Sequence, residues 1–410
     1  MKDCGLIGNL FNYDPVKDKK RIIVMGFMAS CPIAGVVWQH MHYLIGAKRL
    51  GHEVYYIEDS ARIPYNPSTF EVTEDYSYAA KTLAGLFERY DLGKENWGYC
   101  ARYLPDQPTA GLSFERIKEL YRSADAIFNV CGSQEFNDEL LASERLLYIE
   151  SDPAVEQIKL AKDNQNTREY LSRHHALFSF GENLNQPDCG VPHTDFKWFP
   201  TRQPVVTDLW EMPTGKTFDP ASAVYTTIAN WSTGGKKDIE WNGETYLWSK
   251  NPEFHKFHEA PAICGEPFEL ATDMKEAGER EKFLTQGWRF TLPHKMSEDF
   301  WAYQDYIRAS KGEFTVAKDQ YTRLNTGWFS DRSACYLAAG KPVITQQTGF
   351  SKFIPVGEGL FAFQSLDDIK EAAAKINSDY DFHCRKAKEI AKEYFEAEKI
   401  VADILNKAGI

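Results

Sequence analysis

NTGWFSDRSACYLAAGKPVITQQTG, residues 325–349, is the stretch on which the fold turns. Ser330 and Asp331 are favourable N-cap residues for the helix that follows. That helix carries a small-residue face, Ala334, Ala338 and Ala339, which lets it lie close to a sheet. Gly340 stops it, and Lys341-Pro342 leads into a buried strand. A helix whose first turn points into a crevice presents free N–H groups and the positive end of its dipole, and both suit a diphosphate. Arg332 adds charge there, whereas Lys341 lies at the far helix end. On local physics alone, an ordinary capped helix is the commoner meaning of such residues.

Working outward, the same strand–helix alternation fills the chain. Residues 21–27, RIIVMGF, read as a strand, followed by the small-residue loop MASCP, a helix over 33–50 closed by Gly51, and a second strand over 53–57 that ends on Glu58-Asp59. This βαβ unit opens a doubly wound sheet. Further strands are expected at 126–130, 146–149 and 176–180, with helices at 114–122 and 154–162. Prolines 200, 204, 213 and 220 mark a change of texture, and 206–222 is the expected linker. A second α/β series then starts with the strand 224–228, the loop NWSTGGKK and a hairpin about Asn242-Gly243. It continues through strands at 268–271, 288–292, 313–317 and 342–345, with helices at 274–286, 298–309 and 330–339. The end of the chain reads as helices over 366–376 and 382–407. The expected domains are residues 1–205, 223–380 and a terminal helix, 381–410, that braces the two.

The bulk composition narrows the function. A net charge of −12 in 410 residues argues against general binding to a phosphate backbone, which rests on many Lys and Arg contacts, although a local basic pocket remains compatible with it. Eight scattered cysteines without a C-x-x-C pair point to reduced thiols and a cytoplasmic protein. Residues 1–20 are polar and carry charges of both signs, so no secretory leader is expected, and no apolar run approaches the roughly 18 residues of a spanning helix.

The segment AAGKPVITQQTGF resembles the donor-domain signature of the GT-B glycosyltransferases, GWFSDRSACYLAAGKPV is similar to it in both inverting and retaining branches, and GAKRLGHEVYYIEDS resembles that family's first acceptor-side unit. The resemblance implies two Rossmann-like doubly wound domains facing a cleft. It also implies transfer of a sugar from a nucleotide-sugar donor to an acceptor hydroxyl, with the donor as co-substrate, no other cofactor and no required metal. The donor-binding residues it implies are Asn230, Gly234, Gly235, Lys236, His294, Ser330, Asp331, Arg332, Ser333, Thr348 and Gly349. Gly234 and Gly235 allow close backbone approach, Lys236 supplies charge, and a solvated turn fits this loop equally well. Leu292-Pro293-His294 would lie near the nucleotide base, although an exposed His is the commoner reading. There is one departure: where many retaining members carry two glutamates with seven residues between them, this chain has Gly327 and Cys335, leaving Asp331 as the nearest acid.

An inverting enzyme needs a general base for the acceptor hydroxyl. The loop after the first strand has no His, and His40 and His42, two apart on a helix, are expected on different faces, one packed and one in solvent. Glu58, Asp59, Asp152 and Glu182 lie at or just past strand ends and form the catalytic candidates, each alone more often structural. His174 and His175 are adjacent, His255 and His258 are expected at the surface, and no cluster has metal-ligand spacing. A nucleotide-sugar epimerase or phosphorylase, a non-catalytic nucleotide-sugar-binding protein and a DNA-base glycosyltransferase are the alternatives, with nucleic acid disfavoured by the charge.

Overall fold

The computed structural model describes residues 19–234 and 238–410. Eight strands form the first sheet, in the order Trp198–Pro200, Ala176–Ser179, Leu146–Glu150, Ala126–Val130, Arg21–Met25, Glu53–Ser60, Trp97–Ala101 and Thr109–Gly111. All neighbours are parallel except the last pair. The central strands are buried on both faces, which is why they read as unbroken apolar runs such as Ile22-Ile23-Val24-Met25.

Six parallel strands form the second sheet, ordered Trp288–Thr291, Phe268–Ala271, Tyr225–Ile228, Gly312–Thr315, Val343–Gln346 and Leu360–Phe363. Numbered along the chain this is 3-2-1-4-5-6, the doubly wound order. The molecule is thus two Rossmann-like units whose strand ends face a cleft. Its topological switch point in the second unit lies between Tyr225–Ile228 and Gly312–Thr315.

The expected hairpin is present as Ile239–Trp241 and Glu244–Tyr246, with Asn242 and Gly243 both at positive φ, as a two-residue turn of this hand requires. Four strands of the two main sheets escaped the sequence, Trp97–Ala101, Thr109–Gly111, Trp198–Pro200 and Leu360–Phe363, as did the short hairpin Tyr65–Asn66 with Glu71–Val72. The four in the main sheets are three to five residues long and poor in β-branched side chains, and Pro200 is tolerated because its strand is an edge. Within the proline-rich stretch, Val205, Val206 and Trp210 are buried in the core.

The helix expected over 382–407 is two helices, Tyr380–Tyr394 and Ala397–Ala408. Between them Phe395 accepts from Val205 N at 2.7 Å and Ala397 N donates back to Val205 at 2.9 Å, so the chain bends onto residue 205. Helix Ala397–Ala408 then packs against helix Ala34–Arg49 of the first unit. A Cβ at Gly46 would lie 2.8 Å from Ala397 Cβ, so glycine sets that approach.

His40 and His42 correct the expectation of one packed and one solvent-facing ring: both are buried. Helix Ala34–Arg49 is covered by its own sheet on one side and by residues 205–210 and helix Ala397–Ala408 on the other, so neither face is wet. His255 and His258 are likewise half-buried, each against the Phe283 ring, with His255 paired to Glu279 at 2.5 Å. The seven cysteines among the described residues are free.

Candidate active site in the cleft between the two sheets

The strand ends of the two units meet through side chains. Asp152, two residues past Leu146–Glu150, receives Lys318 Nζ at 2.5 Å from just past Gly312–Thr315, and the Tyr321 hydroxyl donates to the same oxygen. Trp328 Nε1 donates to the Ser151 carbonyl at 2.9 Å. Asn183 N donates to the Thr326 carbonyl at 3.0 Å. The loop leading into the decisive helix is therefore docked on the first unit's strand ends.

The helix itself is Asp331–Ala338, with Ser330 as N-cap. The Ser330 hydroxyl makes no capping bond, and Ser333 Oγ, in the first turn, is buried without a partner. The helix start thus keeps donors that a capped helix would have spent internally. Asp331 faces the first unit. Burial, then the charge of Asp152, pushes its carboxyl up to about 7, opposed by a hydrogen bond from Gln39. Its Oδ1 is buried and unpartnered.

Three cations gather at the switch point. Arg332 turns inward: its Nε meets Glu313 Oε1 at 2.6 Å, a second nitrogen meets Thr315 Oγ1 at 2.9 Å, and the third donates to the Ile228 carbonyl. It pins the two strands that flank the switch point. Lys318 is held by Asp152 and lies 3.2 Å from the centre of the Trp248 ring. Lys250, at the N-cap of helix Asn251–Lys256, forms no ion pair among the described residues and rests 5.8 Å from the Trp328 ring. Burial, then the positive charges of Arg332 and Lys318, holds its ammonium well below the usual lysine range. A lysine in this state lacks a counterion, and a bound anion would supply one.

The four catalytic candidates have different surroundings. Glu58 accepts from Ala29 N at 2.8 Å, Ser30 N at 2.9 Å and Tyr56 Oη at 2.7 Å, so it shapes the loop after the first strand. Burial pushes its carboxyl up, and the bonds from Ser30 and Tyr56 oppose this. Asp59 is buried and paired to Arg102 at 2.5 and 3.0 Å, with Tyr121 and Asn137 also donating to it. Glu182 forms a two-pronged pair with Arg202 at 2.6 and 2.7 Å. Asp152 is the candidate whose charged partner comes from the opposite unit. Burial would raise its carboxyl, but Lys318 holds it below the ordinary range.

Of the donor-side candidates, Ser330, Asp331, Arg332 and Ser333 share the helix start. Thr348 Oγ1 donates to the Trp328 carbonyl at 2.5 Å, and Gly349, at φ +96°, approaches Asn325 so closely that a Cβ would lie 2.6 Å from its side-chain oxygen. Both knit the loop before the helix to the strand after it. Asn230 and Gly234 are exposed beyond Tyr225–Ile228, and His294 meets Phe70 of the first unit. Gly235 and Lys236 lie outside the described residues. Gly327 has no room for a side chain, since a Cβ would lie 2.4 Å from Asn183 N, and Cys335 is buried 3.9 Å from His42 Nε2. The two positions where glutamates were absent are thus occupied by inter-unit packing.

Sequence reasoning missed Lys250, Lys318 and Gln39. Lys318 sits just past a strand end, the criterion that selected Asp152, and Lys250 immediately precedes the helix-start residues Asn251-Pro252-Glu253. Among the described residues no group of three or more His, Cys, Asp or Glu is placed to hold a metal ion, and no helix is long and apolar enough to cross a membrane.

No family model and no curated protein matches the chain in sequence. Solved structures match it over nearly its whole length. An alpha-glucosyltransferase in complex with UDP and a 13-mer DNA containing a HMU base aligns over 96% of this chain and 100% of that one, with a TM-score of 0.54 and 11% identity. HepE from Anabaena, in complex with UDP-glucose, aligns over 95% and 99%, with a TM-score of 0.50 and 12% identity. The likeness spans both sheets and the cleft between them, and the fold is that of the GT-B glycosyltransferases.

Proposed function

We propose that the protein is a glycosyltransferase that moves a sugar from a nucleotide-sugar donor to an acceptor hydroxyl. The observation that carries this is Lys250, half-buried against the Trp328 ring and beside Arg332 and Lys318, without an ion-pair partner among the described residues, where burial and then those two charges hold its ammonium below the usual lysine range. A diphosphate is the ligand such a group suits, and doubly wound sheets bind nucleotides at their switch point. The alpha-glucosyltransferase and HepE structures of the same fold hold UDP and UDP-glucose respectively.

In the reaction the acceptor oxygen bonds to the anomeric carbon, the carbon–oxygen bond to the diphosphate breaks, and the acceptor proton passes to a base. Lys250, Lys318 and the N–H groups at Asp331–Ser333 stabilise the charge that grows on the leaving diphosphate. Arg332, engaged with Glu313, positions the strands on which these groups stand. Asp152 and Asp331 are the carboxylates at the cleft that can receive a proton, whereas Glu58, Asp59 and Glu182 maintain the acceptor-side loops. Asn230 and Gly234, exposed beyond Tyr225–Ile228, flank the same phosphates.

Calorimetric titration of nucleoside diphosphates tests this. The wild type binds at least one, and Lys250→Met weakens it by about tenfold to a hundredfold, the loss of one or two charge-assisted contacts. Absence of binding by the wild type across nucleoside diphosphates and nucleotide sugars sinks the proposal.

A further inference from the structure

We propose that Phe70, on a hairpin of the first unit, lines the slot that holds the donor's nucleobase together with Leu292 and His294 of the second unit. This rests on the donor site proposed above and extends it to residues of the opposite unit.

The hairpin pairs Tyr65–Asn66 with Glu71–Val72 and is tied to the loop after the first strand by Tyr65 N donating to Ser30 O at 2.8 Å. Phe70 lies at its turn, with φ +60° and 56% of its surface exposed. A bulky residue in the left-handed region is a costly conformation, and folding gains nothing by holding that ring in water. Its ring centre lies 5.3 Å from that of His294, with the planes at 83°. The two rings make an aromatic corner, in which a flat ligand stacks on one face and meets the other edge-on. Ile63, Phe70, Val72 and Leu292 account for four of the eight exposed large apolar side chains among the described residues, so the hairpin and the loop opposite it concentrate that surface. Glu298 Oε1, at the C-terminal end of the short helix His294–Ser297, is buried and unpartnered. Its charge acts on both Tyr65 and Tyr78, which places it beside the hairpin as an acceptor for ribose hydroxyl or base N–H donors.

The sheet order selects the occupant. Leu292–His294 follow Trp288–Thr291, which stands three strand spacings, about 14 Å, from Gly312–Thr315 and the phosphate groups' end of the cleft. That is the reach of an extended nucleoside diphosphate whose phosphates sit at the switch point and whose base extends toward Trp288–Thr291. The acceptor must meet the sugar near Asp152 and Lys318, at the other end. Glu71 and Glu298 make the slot unsuited to a phosphate.

The test compares UDP, GDP and ADP with inorganic pyrophosphate, which has no base, in calorimetric titrations of the wild type, Phe70→Ala and Phe70→Tyr. Phe70→Ala weakens the preferred nucleoside diphosphate about tenfold, the loss of one stacking ring, and leaves pyrophosphate unchanged. Phe70→Tyr binds as the wild type does. No loss in Phe70→Ala, or an equal loss for pyrophosphate, overturns the base slot and leaves the donor site standing. A wild type that binds none of the three nucleoside diphosphates removes the donor site and this slot with it.

Discussion

Lys318 Nζ lies 2.5 Å from Asp152 Oδ1, and the two residues, 166 positions apart, belong to opposite sheets of the molecule. This pair, with Tyr321 donating to the same carboxylate, fixes one edge of the cleft and holds a positive charge beside Lys250. Lys318→Met therefore weakens nucleoside diphosphate binding by about tenfold. Since 38% of the Asp152 side chain remains exposed, the stability cost is small, about 1 kcal/mol. Calorimetry and thermal unfolding read the two effects separately, and unchanged affinity would remove Lys318 from the donor site.

Asp331 predicts a pH dependence. Its carboxyl titrates near 7 in the folded protein, raised by burial and by Asp152. Below that pH it is neutral beside the helix start, and above it a carboxylate competes with the incoming diphosphate. Affinity for a nucleoside diphosphate falls about threefold to tenfold between pH 6 and 8, the effect of one like charge in a partly screened site. Asp331→Asn flattens that profile, and Asp152→Asn moves its midpoint to lower pH. Stability follows the same titration. The unfolded carboxyl releases its proton near 4 and the folded one near 7, so the cost of Asp331 grows through that interval and is complete above it. At pH 8 Asp331→Asn is more stable than the wild type by about 1–2 kcal/mol. A pH profile identical in wild type and Asp331→Asn would contradict this.

What was legible in the sequence had local physical causes. Residues 325–349 signalled their helix through Ser330, the alanine face and Gly340, and the hairpin through Asn242-Gly243, because caps and turns are written within a few residues. The doubly wound class followed from apolar runs alternating with helices. Missed features depended on distant chain. Trp97–Ala101 and Leu360–Phe363 are strands because a neighbour's edge awaits them. The break at Phe395 exists because residue 205 pairs there. Arg332 looked like a ligand for phosphate, yet Glu313, nineteen positions away, engages it. Lys250 carried no sequence signal of its own, since its state is set by burial and then by Arg332 and Lys318, which other segments of the chain bring beside it.

His42 makes the fold sensitive to acid. Burial, with a smaller contribution from Arg49, lowers its pKa to about 3, and burial lowers that of His40 to about 4. Unfolded imidazoles take up protons below about 6.5, so the stability that depends on the neutral rings is present above that pH and is lost as pH falls toward 4 and then 3. Each ring contributes a slope of up to about 1.4 kcal/mol per pH unit in that window. His42→Gln can keep an acceptor for Val206 N, which His42 Nδ1 receives at 3.0 Å, while removing one titration. Denaturant unfolding between pH 4.5 and 7 should show a shallower acid limb in the variant by about that amount, and parallel limbs would contradict the buried neutral state.

Gly26 and His40 offer a purely steric test of the packing beneath the cleft. A Cβ at Gly26 would lie 1.9 Å from His40 Nε2, and that ring cannot retreat, being buried with Nδ1 bonded to the Val36 carbonyl at 2.7 Å. Gly26 is absent from the positive-φ positions, so alanine meets no backbone penalty there and any cost comes from the clash. Gly26→Ala destabilises the protein by about 3 kcal/mol, at the upper end of overpacking costs, because a backbone position rather than a flexible side chain must yield. His40→Ala alone leaves a cavity and costs about 2–3 kcal/mol. Combined, the two changes place the new methyl in the vacated space. The double variant is then more stable than the sum of the single losses by about 2 kcal/mol, well beyond the additivity expected of independent sites. Additive losses in chemical denaturation would show that the ring and the glycine are not in contact.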